Sequence, residues 1–445
     1  MSFILFSRKD IFRIIIPILI DQFFVLSIGM ASTIVVASSG EAAFSAVSLI
    51  ETINRLVNSL LSSFAIGGTV AASHYLGAND NENACRTAKQ LYIFTVLFSV
   101  VIMLIFIVFN NSLIKMIFGN LDSDTFKNAS VYLFLSVLSY PFFAMYNSGA
   151  SLFRAMGRSK EPMYVSFIMN TVNIILSAVF IFGLKAGVAG AGAANLLARI
   201  AGSVIITVLI RDKSNPIYVD KLYNLSFDAH IIKRIIGTGL PNGIEGSMFE
   251  LGRVFVAGLI SSFGRASIAA NGAANSVTSI ALIPATAVNN ALIPIIGACA
   301  GADEYEQAEK NAKTIILWTI VSVLLVNMLI LIFVRPIASW FKLSPEANRL
   351  AVKVLTYHSI CAVIWPLSFS LTYVFRAAND VIVPLGFSIA SMWLCRIFLS
   401  YFLSGLFEDK LMGIWVAMTI DWAVRTVFFT VRFKSGKWKG KVLPT

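Results

Sequence analysis

The sequence is poor in charge, and this excludes a water-soluble globular domain. Only 13% of its 445 residues are charged and 57% are hydrophobic, whereas soluble domains average about 25% charged residues. The composition instead indicates a protein that crosses a lipid bilayer many times. Its 35 Lys and Arg exceed its 23 Asp and Glu, but in a membrane protein such an excess reflects loop topology rather than binding to nucleic acid.

Motifs for metal binding, disulfide formation and catalysis are lacking as well. The three histidines and four cysteines are scattered, without the spacing of a metal site or a disulfide framework. The sequence contains no G-x-x-x-x-G-K-[ST] phosphate loop, no H-E-x-x-H and no G-x-S-x-G. We therefore expect neither an enzyme nor a cofactor, and an ion gradient of H⁺ or Na⁺ is the expected energy source.

What the sequence does contain is a series of apolar segments, each long enough to cross a bilayer at roughly 20 residues per crossing. The predicted helices cover residues 11–38, 44–76, 86–110, 126–153, 162–183, 187–210, 231–262, 265–299, 310–334, 346–375, 381–404 and 411–432. The longest polar interval, 211–230, separates a lobe at 1–210 from a lobe at 231–445, which ends in a short basic tail. We predict an all-α polytopic membrane protein with twelve transmembrane helices in two six-helix lobes.

The two predicted lobes are similar to each other in sequence. Offsets of 222 to 226 residues match Pro17 with Pro241, Asp21 with Glu245, Arg154 with Arg376, and Arg199 with Arg425. Because each repeat has an even number of crossings, both lobes begin on the same side of the membrane. This pattern is typical of transporters that rock two halves around a central site, so we expect a cavity between the lobes.

Basic residues are distributed unequally between the two sets of connections. With the N-terminus inside, most of the Lys and Arg outside the helices fall on the inner segments. Positively charged connections stay on the cytoplasmic side. We therefore predict a multi-pass protein of the plasma membrane with both termini in the cytoplasm.

Five acidic residues lie inside predicted helices. An ionised group at this depth costs at least ~2.5–3.5 kcal/mol, so each of the five is a functional candidate. Three of them precede an arginine by about one helical turn, which allows either a structural ion pair or a functional site. These pairs are Glu51–Arg55, Glu250–Arg253 and Asp421–Arg425. We take Glu250 and Asp421 as candidates for ion coupling.

Asp21 and Glu245 have no basic residue one turn away, and each follows a proline inside its helix, Pro17 or Pro241, by one turn. A proline frees a backbone carbonyl and bends the helix, and a carboxylate beside such a bend is suited to bind and release a cation. We predict that Asp21 and Glu245 carry ion coupling. A neutral carboxylic acid that is hydrogen-bonded to the backbone is the structural alternative.

Several other polar side chains are candidates for lining a substrate cavity. They are Gln22, Ser32, Asn54, Asn170, Asn173 and Arg396. Hydrogen bonds between helices explain any of the neutral ones equally well. We expect a monomer, surrounded by the lipid bilayer, that binds a small amphipathic molecule.

Short motifs along nearly the whole chain resemble those of the multidrug and toxic compound extrusion (MATE) transporters. They include Gly40-Glu41-Ala42-Ala43, Phe153-Arg154-Ala155-Met156-Gly157, Gly239-Leu240-Pro241 and Phe375-Arg376-Ala377-Ala378. The resemblance implies two six-helix bundles around a V-shaped cavity. It also implies export of amphipathic, often cationic compounds in exchange for Na⁺ or H⁺.

The sequence departs from this family at positions that many members use for ion coupling. Ser32 stands where such members have an aspartate in the first helix. In the second lobe, Phe249 and Trp365 stand where they have acidic residues, and Glu250 is one position away. We therefore expect coupling to have moved to the four candidate acids.

Two other functions stay open on the sequence alone. A flippase for lipid-linked oligosaccharides belongs to the same superfamily plan and would use cationic groups to hold a diphosphate; the candidates are Arg55, Arg199, Arg396 and Arg425. A net basic cavity would favour the flippase, whereas an acidic one would favour export of cations. A channel or a non-transporting receptor is the remaining alternative, and transport of a substrate against its gradient would exclude it.

The predicted topology can be tested with reporter fusions. We expect a fluorescent protein fused after Thr445 to be bright and alkaline phosphatase fused there to be inactive, because both termini face the cytoplasm. A fusion after Lys342, in a predicted outer segment, should give the opposite pattern. The same pattern at both positions would contradict the topology.

Overall fold

We describe the protein from a computed structural model, which covers residues 6–119, 121–220 and 227–441. Within these ranges the side chains of residues 27, 28, 30–34 and 37 are outside the description. The described chain consists of helices joined by short turns and contains no strand. The prediction of an all-α protein is confirmed.

The first half of the described chain forms eight α-helices. They are α1 (Arg8–Ala37), α2 (Glu41–Gly77), α3 (Asn81–Val108), α4 (Asn110–Phe118), α5 (Ser123–Leu138), α6 (Tyr140–Ala155), α7 (Lys160–Ala178) and α8 (Gly187–Ile210). Helices α5 and α6 are bent by 43° and together form one apolar span. A π-helical turn, Val179–Gly183, extends α7.

The second half of the described chain forms ten α-helices. They are α9 (Ala229–Ser261), α10 (Arg265–Ala281), α11 (Ile283–Gly301), α12 (Tyr305–Ile332), α13 (Val334–Trp340), α14 (Pro345–Cys361), α15 (Trp365–Ala377), α16 (Ile382–Ser391), α17 (Leu399–Ser404) and α18 (Lys410–Lys434). A 3₁₀ turn, Ala362–Ile364, joins α14 to α15, and a π-helical segment, Met392–Phe398, joins α16 to α17.

All twelve predicted helical segments are present, although three of them are interrupted. The breaks separate α5 from α6, α10 from α11, and α14 from α15. In each case a proline follows the break at once, namely Pro141, Pro284 or Pro366. Proline lacks the N–H that would continue the preceding helix but fits the first turn of a new one. The sequence prediction treated each of these segments as one continuous helix and missed the break.

Nine helices of the described chain are long and apolar enough to cross a membrane, and the bent pair α5–α6 makes a tenth. Two short helices that the sequence did not predict, α4 and α13, follow α3 and α12. In each half, therefore, a long helix is followed by a short helix, α4 or α13, and then by a broken span, α5–α6 or α14–α15. This agrees with the predicted pair of six-helix repeats.

The internal contacts divide the described chain into two compact units, residues 6–243 and residues from 244 onwards. In each unit a helix of the second span is largely buried: 61% of an apolar 18-residue stretch of α2 and 78% of one in α11 are buried. The division falls inside α9, so residues 229–243 group with the first unit. The linker predicted at 211–230 stays a prediction.

Aspartates outside the spans begin two of the helices. The Asp80 carboxylate accepts a hydrogen bond from the backbone N–H of Asn83 at 3.0 Å, and the Asp122 carboxylate accepts one from Thr125 at 2.9 Å. These are N-cap contacts, which satisfy backbone donors that a helix leaves unpaired. The hydrogen bonds lower the pKa of both carboxyl groups.

Residues 435–441 fold back onto the second unit after α18. Trp438 is fully buried and stacks on Phe433 with ring centres 5.4 Å apart. Lys439 forms an ion pair of 2.6 Å with Glu309 of α12. Asp380, in the turn after α15, pairs both with Lys441 at 2.9 Å and with Arg432 of α18 at 2.6 Å. This segment therefore connects three parts of the unit that are distant in sequence.

Helices α2 and α9 pack closely within the first unit, and this contact requires a glycine. A Cβ atom at Gly67 would lie 2.9 Å from the backbone nitrogen of Gly239. That distance is shorter than real Cβ contacts, so any larger residue must push the two helices apart.

We expect Gly67→Ala to destabilise the protein by about 1–3 kcal/mol, the usual cost of overpacking. Gly237→Ala is the matched control, because a Cβ there would meet no atom within 4 Å. The apparent melting temperature in detergent should fall for the first variant and not for the second. Equal melting temperatures for the two variants would contradict the close contact.

Candidate functional site

Asp21 lies in α1, one turn after Pro17, and is almost completely buried. Its carboxylate is 3.8 Å from the guanidinium of Arg154, at the end of α6. The side chains of Gln22 and Ser166 also interact with it. The residue therefore has a cationic partner, but this partner comes from another helix and is distant in sequence.

Glu245 has the corresponding environment in the second unit. It lies one turn after Pro241 in α9, and its carboxylate is 2.7 Å from the guanidinium of Arg376, at the end of α15. Both side chains are largely buried, with 8% and 16% of their surface exposed. Each unit thus has an acid after a helix-interior proline that pairs with an arginine at the end of another span.

A second ion pair lies deeper in the second unit. Asp421 and Arg425 of α18 are completely buried and 3.4 Å apart, which confirms the pair that their spacing predicted. The hydroxyl of Ser391 donates to Asp421, and Arg425 donates to the backbone carbonyl of Ser388 at 3.0 Å. The guanidinium carbon of Arg425 also lies 4.6 Å from the centre of the Phe249 ring, in a cation–π contact.

Arg396 belongs to the π-helical segment of the second unit and forms no ion pair with any described residue. Its guanidinium is 3.4 Å from the sulfur of Met418, and it interacts electrostatically with Asp421, Arg425 and Arg253. π-helical turns are frequent at functional sites. Together with the two ion pairs, Arg396 gives this part of the unit three arginines and two carboxylates.

The pair Glu250–Arg253 of α9 is confirmed as well, at 3.1 Å. Unlike the pairs above, it is accessible: 33% of the glutamate side chain and 63% of the arginine side chain are exposed. Charged groups that are exposed within membrane spans usually face a water-filled cavity rather than lipid. Glu250 and Arg253 therefore stay candidates for contact with a solute.

The predicted pair Glu51–Arg55 is wrong. The Glu51 carboxylate instead accepts hydrogen bonds from the Tyr132 hydroxyl at 2.8 Å and from the Asn54 amide at 2.9 Å. Arg55 is exposed and donates to the hydroxyl of Thr52 at 3.1 Å. A one-turn spacing allows an ion pair, but the glutamate turns towards the buried donors of its own unit.

The neutral cavity candidates have different environments. Asn54 is buried in the hydrogen-bond network of Glu51, and Gln22 lies beside Asp21. Asn170 donates to the backbone carbonyl of Ser166 on its own helix at 2.9 Å. Asn173 also has an interaction partner. The side chain of Ser32 is outside the described residues. The hydroxyl of Ser166 also accepts from Asn170 at 3.2 Å and interacts with Asp21, so Asn170 is connected to the Asp21 site through Ser166.

Metal chemistry has no evident ligand set in the described ranges. They contain no cluster of three or more His, Cys, Asp or Glu side chains that could hold a metal ion. His358 is buried between the rings of Trp415 and Trp422, at centre distances of 5.4 and 5.6 Å. This histidine packs as part of the aromatic core of the second unit.

Comparison with known proteins now identifies the family. The MatE family model matches residues 17–179 and 241–402, which is one match in each half of the chain. The chain belongs to the MatE family. The family's members are multidrug and toxic compound extrusion transporters, so the resemblance seen in the sequence motifs is confirmed.

Named relatives and solved structures agree with this assignment. The chain is 24% identical to a probable multidrug resistance protein NorM of Thermotoga maritima, over 98% of this chain and 94% of the relative. It is also 24% identical to the probable multidrug resistance protein YoeA of Bacillus subtilis, over 86% of this chain and 84% of the relative. A crystal structure of MATE in the bent conformation superimposes with a TM-score of 0.89, at 21% identity, over 97% of this chain and 96% of that one. The twelve-helix MATE fold is thereby established, and the protein is a multi-pass membrane transporter of small molecules.

The arginine partners of Asp21 and Glu245 were missed at the sequence level, although a signal for them was present. The internal repeat matches Asp21 with Glu245 and Arg154 with Arg376. Two charges of opposite sign that recur at matching positions indicate a pair within each repeat. A search restricted to residues one helical turn apart does not detect such a pair.

The Glu245–Arg376 pair should be sensitive to loss of one partner. Arg376→Met leaves a buried carboxylate without its cation, which costs about 3–5 kcal/mol, so we expect a clearly lower melting temperature in detergent. The further change Glu245→Gln should restore part of the loss. Arg86→Met is the control, because the Arg86–Glu82 pair is 62% and 77% exposed and exposed pairs contribute little. A double variant no more stable than Arg376→Met alone would contradict the coupling of the two residues.

Proposed function

We propose that the protein is a cation-coupled antiporter of the plasma membrane, with both termini in the cytoplasm. It exports amphipathic, cationic small molecules as a monomer, by alternating access, in exchange for H⁺ or Na⁺. The observation that supports this most strongly is the pair of matching contacts Asp21–Arg154 and Glu245–Arg376. Each contact places a carboxylate beside a helix-interior proline and opposite an arginine of another span.

Such a pair can respond to a coupling ion. Binding of a proton or Na⁺ neutralises the charge of the carboxylate and weakens its attraction to the arginine. The arginine then loses its compensation inside the membrane, which is costly, so a helix arrangement that solvates it becomes more favourable. An ion shifts the equilibrium between two arrangements by its difference in affinity for them. We propose this role for Asp21 and Glu245 first, and for Glu250 and Asp421 as further coupling acids.

Substrate contact is proposed for the polar groups at membrane depth. Glu250 and Arg253 are exposed there, and Arg396 has no carboxylate partner among the described residues. The neutral candidates Gln22, Ser32, Asn54, Asn170 and Asn173 would add hydrogen-bonding groups. A site of this kind, with few charges among many apolar side chains, suits an amphipathic molecule.

The proposal can be tested with purified protein in liposomes. We expect ethidium, a fluorescent organic cation, to move against its concentration gradient under an imposed pH or Na⁺ gradient. Movement should be lost in the double variant Asp21→Asn, Glu245→Gln and kept in Glu82→Gln, which changes an exposed carboxylate.

Each outcome decides a separate part of the proposal. Unchanged transport by the double variant would remove Asp21 and Glu245 from the coupling mechanism. Movement of a sulfonated anionic dye in place of ethidium would overturn the cationic substrate. Downhill movement only, under every gradient, would indicate a channel.

A further inference from the structure

A buried hydrogen-bond network surrounds Glu51 in the first unit. The Oε1 atom of Glu51 accepts from the Tyr132 hydroxyl at 2.8 Å and from Nδ2 of Asn54 at 2.9 Å. Asn54 is fixed in turn, because its Oδ1 accepts from the Tyr140 hydroxyl at 2.9 Å. Asn54, Tyr132 and Tyr140 are all buried. The network therefore connects α2 to both halves of the bent span α5–α6.

Glu51 differs from the four acids proposed above in its partners. Those acids each lie within 4 Å of an arginine, whereas Glu51 has no ion pair in the part of the chain that the structure describes. Its hydrogen bonds come from a phenol and an amide, which are neutral. A carboxylate that is held at membrane depth by neutral donors is less compensated than one paired with a guanidinium.

One cation of the unit does act on Glu51 from a distance. Arg199 of α8 interacts electrostatically with Glu51, as do Tyr132 and Tyr140. The Arg199 guanidinium is held elsewhere: it donates to the hydroxyl of Ser139 at 2.9 Å. On the helix of Glu51 itself, Arg55 is turned away towards Thr52. Glu51 and Arg199 together have no net charge when Glu51 is ionised. When Glu51 is protonated, they carry one positive charge.

The network is suited to a proton and unsuited to Na⁺. A hard metal cation needs several free oxygen ligands. Here Oε1 of Glu51 already accepts two hydrogen bonds, and Oδ1 of Asn54 accepts one. The Ser136 hydroxyl oxygen also accepts a hydrogen bond, from the Asn54 amide at 3.3 Å. The surrounding groups thus present hydrogens to the carboxylate instead of free oxygen ligands. A proton needs only one lone pair of the carboxylate.

We propose that Glu51 is a proton-binding residue of this transporter and takes up an exchanged proton in the first unit. The inference rests on the proposed antiport function and extends it, because it names H⁺ as a coupling ion. The step is the addition of one proton to the Glu51 carboxylate, which gives the neutral acid. Hydrogen bonds to an ionised acceptor are roughly twice as strong as neutral ones, so protonation loosens the contacts from Tyr132 and Asn54.

Two consequences connect this step to transport. Tyr132 and Tyr140 lie on either side of the break between α5 and α6, so weaker contacts to the network relax the constraint on the 43° bend. In addition, the charge of Arg199 becomes uncompensated, which disfavours a cationic substrate nearby. Proton and substrate then lower each other's affinity, and this coupling is reciprocal. Mutual exclusion of this kind is what an antiporter requires.

The test measures protons directly. Ethidium is added to purified protein in weakly buffered detergent solution that contains a pH indicator dye. We expect wild-type protein to release protons as ethidium binds, and Glu51→Gln to release fewer. In liposomes the same variant should lose stimulation by a pH gradient but keep exchange of ethidium between the two sides without a gradient. Glu41→Gln, at the exposed start of the same helix, is the matched control and should behave as wild type.

The outcomes separate this inference from the proposed function. Wild-type protein that moves ethidium under neither gradient overturns the proposed function. Wild-type transport driven by Na⁺ alone overturns the role of Glu51, as does equal proton release and equal stimulation in Glu51→Gln. If Glu51→Gln does not fold, Tyr132→Phe gives the answer, because it keeps the carboxylate and removes one donor to its charged form. Proton release on ethidium binding should then differ from that of wild-type protein, and equal release would overturn the inference.

Discussion

Charge inside a bilayer has to be compensated by the protein itself, and the arrangement of these helices depends on that constraint. Lipid offers no partner for a carboxylate or a guanidinium. Asp21 and Glu245 are therefore matched by Arg154 and Arg376, which lie on other spans of the same unit. Each contact connects two helices of one unit, so the buried charges also contribute to how the helices are held together.

The backbone is subject to a comparable constraint, because an N–H or C=O group in lipid also needs a partner. Prolines interrupt the helical hydrogen bonds at the breaks between α5 and α6, α10 and α11, and α14 and α15. The break between α5 and α6 is bordered by Ser136 and Ser139, whose hydroxyls are buried and take part in the network of Asn54 and Arg199. Irregular backbone and buried polar side chains therefore occur together, since each supplies partners to the other.

Most of the architecture follows from patterns that a sequence displays directly. The apolar segments predicted twelve spans, and the repeat predicted two similar halves. The sequence was less informative about side-chain direction. The spacing of Glu51 and Arg55 equals that of Asp421 and Arg425, yet only the second forms an ion pair. The difference arises from Tyr132, a donor 81 residues away, which no local rule includes.

Residues 435–441 affect the order in which the second unit folds during synthesis. They are translated after all of their partners, and Lys439 reaches back across 130 residues to Glu309. Domains generally complete their folding as units during synthesis. The contacts of Trp438, Lys439 and Lys441 can therefore form only after α18 and the segment that follows it have left the ribosome.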